Sequence, residues 1–236
     1  MQRFMSMLRC AIDKYNMIED GDRIAVGISG GKDSVALLCG LAEMRRFYPK
    51  KFEVCAVTID PKFGGQKGNY KEITELCHRL NVPYLIKVTD LWEIIFEIRK
   101  ESNPCSLCAR MRRGALHDAA KSIGCNKVAL GHHLDDAAET FYMNLFQGGT
   151  LGSFQPVSYL SRKNIHLIRP MILIEEREIT NLANRLQLPI VKSKCPADGC
   201  TERQRTKELL SELGHRYPDI KQKTIKALQK SHITGW

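Results

Sequence analysis

The chain has 236 residues, with 36 Lys plus Arg against 26 Asp plus Glu and a formal net charge of +10. That length buries a large core and fits one α/β domain with a modest C-terminal extension, while no run approaches the roughly 20 apolar residues of a membrane span. Asp13, Glu19 and Asp20 stand where a signal peptide would be apolar, so a cytoplasmic protein with a polyanionic partner and no membrane partner is expected.

Residues 1–18 place Phe4, Met7, Leu8, Ala11, Tyr15 and Ile18 at helical spacing, and Gly21-Asp22 turns the chain into the apolar strand Ile24-Ala25-Val26-Gly27-Ile28. Ser29-Gly30-Gly31-Lys32-Asp33-Ser34 follows and opens a helix near 33–46. A strand near 53–59 ends at Asp60, followed by a helix near 69–80 and a strand near 82–88. The unassigned segment 90–101 precedes Pro104-Cys105-Ser106-Leu107-Cys108 and a helix near 106–123. A strand over Lys127-Val128-Ala129-Leu130-Gly131 leads to His132-His133-Leu134-Asp135-Asp136, where helix resumes to about Gln147.

Beyond Gly148-Gly149 come a strand near 165–170, a helix near 175–187 and the short run Pro189-Ile190-Val191, read as a last strand. A polar loop over 192–201 then leads into helices near 202–213 and 219–231. Short apolar strands alternating with helices imply an α/β fold with a doubly wound, mostly parallel sheet, an N-terminal helix over 1–20 and a main domain over 21–200. Residues 201–236 form a small C-terminal helical extension. In such sheets ligands bind beyond the carboxyl ends of the strands, where Ser29–Ser34, Asp60 and the His132–Asp136 loop all fall.

A glycine-rich turn between strand and helix suits a phosphate, because paired glycines admit the anion and the first helical amides lack partners. Lys32 adds a cation, and Ser29 and Ser34 add hydroxyls. It is not a Walker A loop: Val26 stands where the first glycine belongs, and Asp33 where Ser or Thr must follow the Lys. The run resembles instead the SGGxDS loop of the ATP pyrophosphatase (PP-loop) superfamily, whose members split ATP into AMP and pyrophosphate while adenylylating a carbonyl oxygen.

Nine cysteines, without a secretory signal, argue against a disulfide framework. Cys10, Cys39, Cys55, Cys77 and Cys125 stand singly among apolar neighbours as small core residues. Cys105 and Cys108 lie three residues apart at a helix start, where thiolate is favoured. The pair alone is compatible with a redox couple, half a zinc site or part of an iron-sulfur site. Cys195 would supply a third thiolate, leaving one iron of a [4Fe-4S] cluster open, while Cys200 is a fourth ligand, a persulfide carrier or a bystander.

Ser29–Ser34, Pro104-Cys105-Ser106-Leu107-Cys108-Ala109-Arg110-Met111-Arg112-Arg113-Gly114, Leu130-Gly131-His132-His133-Leu134-Asp135-Asp136 and Cys195 together resemble the TtcA family of tRNA 2-thiocytidine synthetases. The resemblance covers most of residues 20–215. It implies a [4Fe-4S] cluster on Cys105, Cys108 and Cys195, ATP with Mg²⁺ on the PP-loop, a tRNA cytidine thiolated at C2, and a homodimer. The sulfur donor would be a cysteine desulfurase persulfide or free sulfide. Where the family carries a second CxxC, this chain has Cys195-Pro196-Ala197-Asp198-Gly199-Cys200. Thiouridine synthetases of the TtuA type add terminal CxxC pairs, which this chain lacks in residues 1–50 and after Cys200.

Under that resemblance Ser29 to Ser34 hold the ATP phosphates, with Lys32 offsetting charge and Asp33 orienting the loop or Mg²⁺. Asp60 is placed near the adenosine or forms a turn, and Gly131 and His132 lie beside the nucleotide. His132, His133, Asp135 and Asp136 suit Mg²⁺ or proton movement, with Asp135 the preferred catalytic acid; the alternative is that Asp135 or Asp136 caps the next helix. Arg110, Arg112 and Arg113 either clamp tRNA phosphates or form a solvated face. A zinc-stabilised RNA-binding module without turnover, a thiouridine synthetase of a sister branch, and another PP-loop reaction such as lysidine formation are the competing readings.

Overall fold

β1 (Asp22–Gly27) lies at the middle of a six-stranded sheet, and its two faces feed two separate cores. Successive side chains of a strand point to opposite faces, so Ile24 and Val26 enter one apolar cluster and Ala25 the other. β2 (Phe52–Asp60) divides in the same way, with Val54 and Ala56 on one side and Cys55, Val57 and Ile59 on the other. Burial on both faces explains why these strands read as continuous apolar runs. The computed structural model describes residues 1–99, 104–191, 202–231 and 235–236.

The remaining elements are α1 (Gln2–Lys14), α2 (Lys32–Met44), α3 (Lys71–Arg79), β3 (Tyr84–Val88), α4 (Pro104–Ser122), β4 (Lys127–Ala129) and α5 (Leu134–Gly148). They continue with β5 (Val157–Leu160), β6 (Ile165–Ile168), α6 (Glu176–Leu186), α7 (Glu202–Arg216) and α8 (Ile220–Ser231). The strand order is β3-β2-β1-β4-β6-β5, parallel throughout except for β5 against β6. The chain runs outward from β1 through β2 and β3, then returns to lay β4 on the other side of β1. That reversal opens a crevice beyond the carboxyl ends of β1 and β4. α1, α2 and α6 pack together over one face, α4 covers the other, and α5 carries α7 and α8.

The expected alternation and the mostly parallel sheet are present, with four local differences. α1 ends at Lys14 rather than near 18, because Asn16 takes a left-handed φ of 47° and the Met17 amide turns back to the Ile12 carbonyl. The unassigned stretch after β3 contains a π-helical segment, Glu93–Ile98, with Ile95 buried under the second core. β5 was not expected: it is a four-residue edge strand, paired antiparallel to β6 through a turn in which Asn164 has a φ of 49°. Pro189–Val191 is not a strand, although Val191 N–H donates to the Gly30 carbonyl at 3.0 Å. Among the described residues, no helix is long and apolar enough to cross a membrane.

The lower end of the sheet is tied by a buried ion pair. The Asp22 carboxylate accepts from Lys127 Nζ at 2.7 Å, the Glu19 amide at 2.6 Å and Asn126 Nδ2 at 2.7 Å, and Lys127 also donates to the Met17 carbonyl. Removing one member of such a pair leaves an uncompensated buried charge, at a cost of about 3–5 kcal/mol. Lys127→Met is therefore expected to lower unfolding free energy by about that amount in urea titration, with Asp22→Asn added in the same chain restoring part of it. A loss below about 1 kcal/mol would remove this pair from the account of the sheet.

Candidate active site

The loop after β1 is held by its own hydroxyls. Ser34 Oγ accepts from the Ser29 amide at 3.2 Å and donates to the Gly31 carbonyl at 2.9 Å, and Ser29 Oγ accepts from the Gly31 amide at 3.3 Å. Gly30 has a φ of +92°, which a side chain would strain, and α2 starts from Gly31 without a side-chain cap. The first amides of α2 therefore face the crevice with the positive end of the helix behind them. The β4 loop closes on this turn: a Cβ at Gly131 would lie 3.0 Å from the Ser34 amide nitrogen and 3.1 Å from the Asp33 carbonyl carbon.

Lys32 Nζ contacts Glu176 Oε1 at 2.9 Å and Asp33 Oδ1 at 3.1 Å. Burial opposes the charge on Lys32, but Glu176 and Asp33 outweigh it and keep the ammonium protonated. Glu176, which also binds Lys207 at 2.7 Å, is pushed up by burial yet brought down to about 2 by those two lysines. Asp33 Oδ1 is buried and makes no hydrogen bond. A buried carboxylate oxygen that faces Lys32 at 3.1 Å but completes no hydrogen bond, beside uncapped helix amides, fits a magnesium phosphate.

The β4–α5 loop separates its four polar residues into different tasks. His133 caps α5 in a capping box with Asp136, whose Oδ2 accepts from the His133 amide at 3.0 Å. Asp136 Oδ1 meets Arg203 of α7 at 3.1 Å. Asp135 turns the other way, accepting from the Glu176 amide at 2.7 Å and from Lys221 of α8 at 2.7 Å. His132 Nδ1 accepts from Arg169 Nε at 3.3 Å, and its ring lies 4.8 Å from that of Phe154. Burial pushes His132 down to about 4, so it is neutral at pH 7, and the bond from Arg169 leaves its proton on Nε2.

A cavity of about 640 Å³ joins these parts. Ser29, Asp33, Ser34, Gly131, His132 and Asp136 line its polar end, while Gly27, Ile28, Val57, Ile59, Leu116 and Leu130 form an apolar wall. Ala109, Arg112 and Arg113 come in from α4 and Arg203 from α7. Ala109 follows Cys108 directly, so the CxxC at the first turn of α4 stands at the rim; Cys105 is exposed and Cys108 is half-buried against the second core. Two thiols three residues apart at a helix N-terminus are a fitting pair of soft ligands for a cluster. Cys195 and Cys200 lie outside the described residues, and among the described ones no group of three or more Cys, His, Asp or Glu is assembled for a metal.

Asp135 is placed otherwise than the sequence suggested, while Asp60 and Arg110 are compatible with one of the two readings the sequence left open to each. Asp135 is not in the cavity wall; it fastens the starts of α6 and α8. Asp60 is buried and accepts from the Lys62 and Gly68 amides at 3.0 and 2.9 Å, shaping the loop after β2, so the turn-forming reading fits it. Arg110 is exposed and outside the wall, unlike Arg112 and Arg113. Glu176, Arg169 and Arg203 were missed, and only the acidic start of α6 and the basic character of α7 hinted at any of them.

A PP-loop domain family matches residues 5–213. The tRNA-cytidine(32) 2-sulfurtransferase of Pelobacter propionicus is 41% identical over 94% of this chain and 83% of its own length. The chain belongs to the PP-loop TtcA family. A Geobacter sulfurreducens family member of the same name is also 41% identical, over 92% of this chain and 85% of its own. The family fold recurs in the Methanococcus maripaludis U34-tRNA thiolase NcsA, solved with its [4Fe-4S] cluster, at a TM-score of 0.77 and 24% identity over 96% of this chain and 78% of that one.

Behind Asp136, Glu139 is buried on α5, and burial together with Asp136 raises it from 4.5 to about 7, against Arg203, Lys207 and Lys221. A carboxyl raised in the folded state favours folding below its unfolded value and loses that contribution as pH rises through the folded one. Stability lost between about pH 4.5 and 7 is on the order of 3 kcal/mol. Glu139→Gln should thus raise the urea midpoint at pH 8 and leave it nearly unchanged at pH 4.5, with equal effects at both values counting against the buried acid.

Proposed function

We propose that this chain is an ATP-dependent tRNA sulfurtransferase that activates the C2 oxygen of a tRNA cytidine as an adenylate and replaces it with sulfur. The observation that carries this reading is a cavity walled on one side by Ser29, Asp33 and Ser34 and on the other by the helix whose first turn carries Cys105 and Cys108. The 41% identity to tRNA-cytidine(32) 2-sulfurtransferases over nearly the whole chain supports cytidine as the base and position 32 as its place. A net charge of +10, with Arg112, Arg113 and Arg203 at the cavity, supports a polyanionic substrate.

The amides at the start of α2 and the Lys32 ammonium bind the β- and γ-phosphates and take up charge as pyrophosphate leaves. Asp33, whose Oδ1 completes no hydrogen bond, would hold Mg²⁺, which would supply charge neutralisation for the phosphates. The cytidine C2 oxygen attacks the α-phosphorus, forming the O–P bond as the α–β bridging bond breaks. His132 Nε2–H donates to the α-phosphate and stays a donor throughout, because Arg169 occupies Nδ1. Sulfide then adds to C2, and the electron pair of the C–O bond departs with AMP. A persulfide donor would require two further electrons from a thiol reductant.

Cys105, Cys108 and Cys195 are the thiolates that hold a [4Fe-4S] cluster. When bound, the cluster supplies an open iron coordination position for the incoming sulfur.

Anaerobic reconstitution should give broad absorption near about 400 nm, abolished by Cys105→Ser, Cys108→Ser or Cys195→Ser. Asp33→Ala should keep that band and lose pyrophosphate release by about a hundred-fold or more. Zinc in place of iron, with no pyrophosphate release in the presence of tRNA, would support a binding module instead. Nucleoside mass spectrometry of tRNA from a strain lacking the gene should show loss of 2-thiocytidine; loss of a thiouridine instead would move the substrate to the sister branch.

A further inference from the structure

Lys32 faces a carboxylate that the adenylylation scheme does not use. Glu176 is the first residue of α6, where the helix dipole favours a negative side chain, and its own amide is pinned by Asp135 Oδ2 at 2.7 Å. Its two oxygens are divided between two helices: Oε1 takes Lys32 Nζ of α2 at 2.9 Å, and Oε2 takes Lys207 Nζ of α7 at 2.7 Å. α6 packs directly on α2, which fixes the backbone that carries this carboxylate relative to Lys32.

We propose that Glu176 is the positioning residue of the PP-loop lysine, acting as a shared acceptor whose hold on Lys32 is set by Lys207. Before nucleotide binds, Glu176 holds the Lys32 ammonium at the loop, and the ATP phosphates must take it in competition. Lys207 weakens that hold by occupying the other oxygen. Once Lys32 moves to the phosphates, Glu176 still limits its range, which keeps the ammonium where charge develops on the leaving pyrophosphate. α7 also supplies Arg203 to the cavity wall, so the same helix touches the nucleotide end twice, once directly and once through Glu176.

The proposal rests on Lys32 as a phosphate contact, and the test separates the two. Affinity for α,β-methylene-ATP is measured for the full chain, its Glu176→Gln, Lys207→Met and double variants, and Lys32→Met. Glu176→Gln should bind the analogue about three- to five-fold more tightly and Lys207→Met more weakly by a similar factor. The effect of Lys207→Met should vanish in the Glu176→Gln background. Glu176→Gln should also slow pyrophosphate release at saturating ATP by about ten-fold, with partial rescue by Glu176→Asp, a split that loss of folding alone does not produce. Additive effects of the two variants, or weaker binding in Glu176→Gln, overturn the proposal while Lys32→Met still loses affinity. Unchanged affinity in Lys32→Met overturns the phosphate reading itself and the proposal with it.

Discussion

The approach of Gly131 to the first turn of α2, with room for no side chain between them, sets where every other part of the site must stand. It brings the loop after β4 against the loop after β1, at the point where the sheet reverses direction. A parallel sheet offers a crevice there in any case. Here the contact is tight enough that the amides of α2, His132 and Asp136 share one cavity. On the opposite side Val191 bonds to Gly30, so the PP-loop is gripped between two returning segments rather than hanging from one strand.

That grip explains how the acidic residues divide their work. Asp135 and Asp136 are adjacent on α5, yet a helix sends neighbours about 100° apart, and only Asp136 reaches the cavity. Asp135 fastens α6 and α8 through the Glu176 amide and Lys221. Its removal would displace Glu176 and through it Lys32, giving an inactive protein without any contact between Asp135 and substrate. Loss of activity on mutation therefore does not by itself mark the catalytic acid in this loop.

Much of this was legible from local pattern. Ser29–Ser34 between an apolar strand and a helical repeat, and Cys105 and Cys108 ahead of another helix, are features that neighbours in sequence decide. The parallel sheet followed from strands apolar on both faces, which β1 and β2 show residue by residue. What sequence did not show are side-chain partners across the chain. Glu176 lies 144 residues from Lys32, and Arg203 lies 67 from Asp136, so no spacing rule connects them. β5 escaped because four half-exposed residues at a sheet edge carry little alternation, and its pairing depends on the Asn164 turn. For Asp60 the sequence left a place near the nucleotide and a turn-forming role equally open, and its two bonds from loop amides fit the turn.

The central claim is that the PP-loop activates the base oxygen itself, and isotope transfer tests it directly. A tRNA carrying ¹⁸O at C2 of the target cytidine is turned over with ATP and sulfide by the anaerobically reconstituted protein, and the AMP is weighed by mass spectrometry. Activation at that oxygen predicts one ¹⁸O in AMP for each thiolated base. AMP without label, formed alongside thiolated tRNA, would contradict the account and place the ATP-dependent step on the sulfur donor.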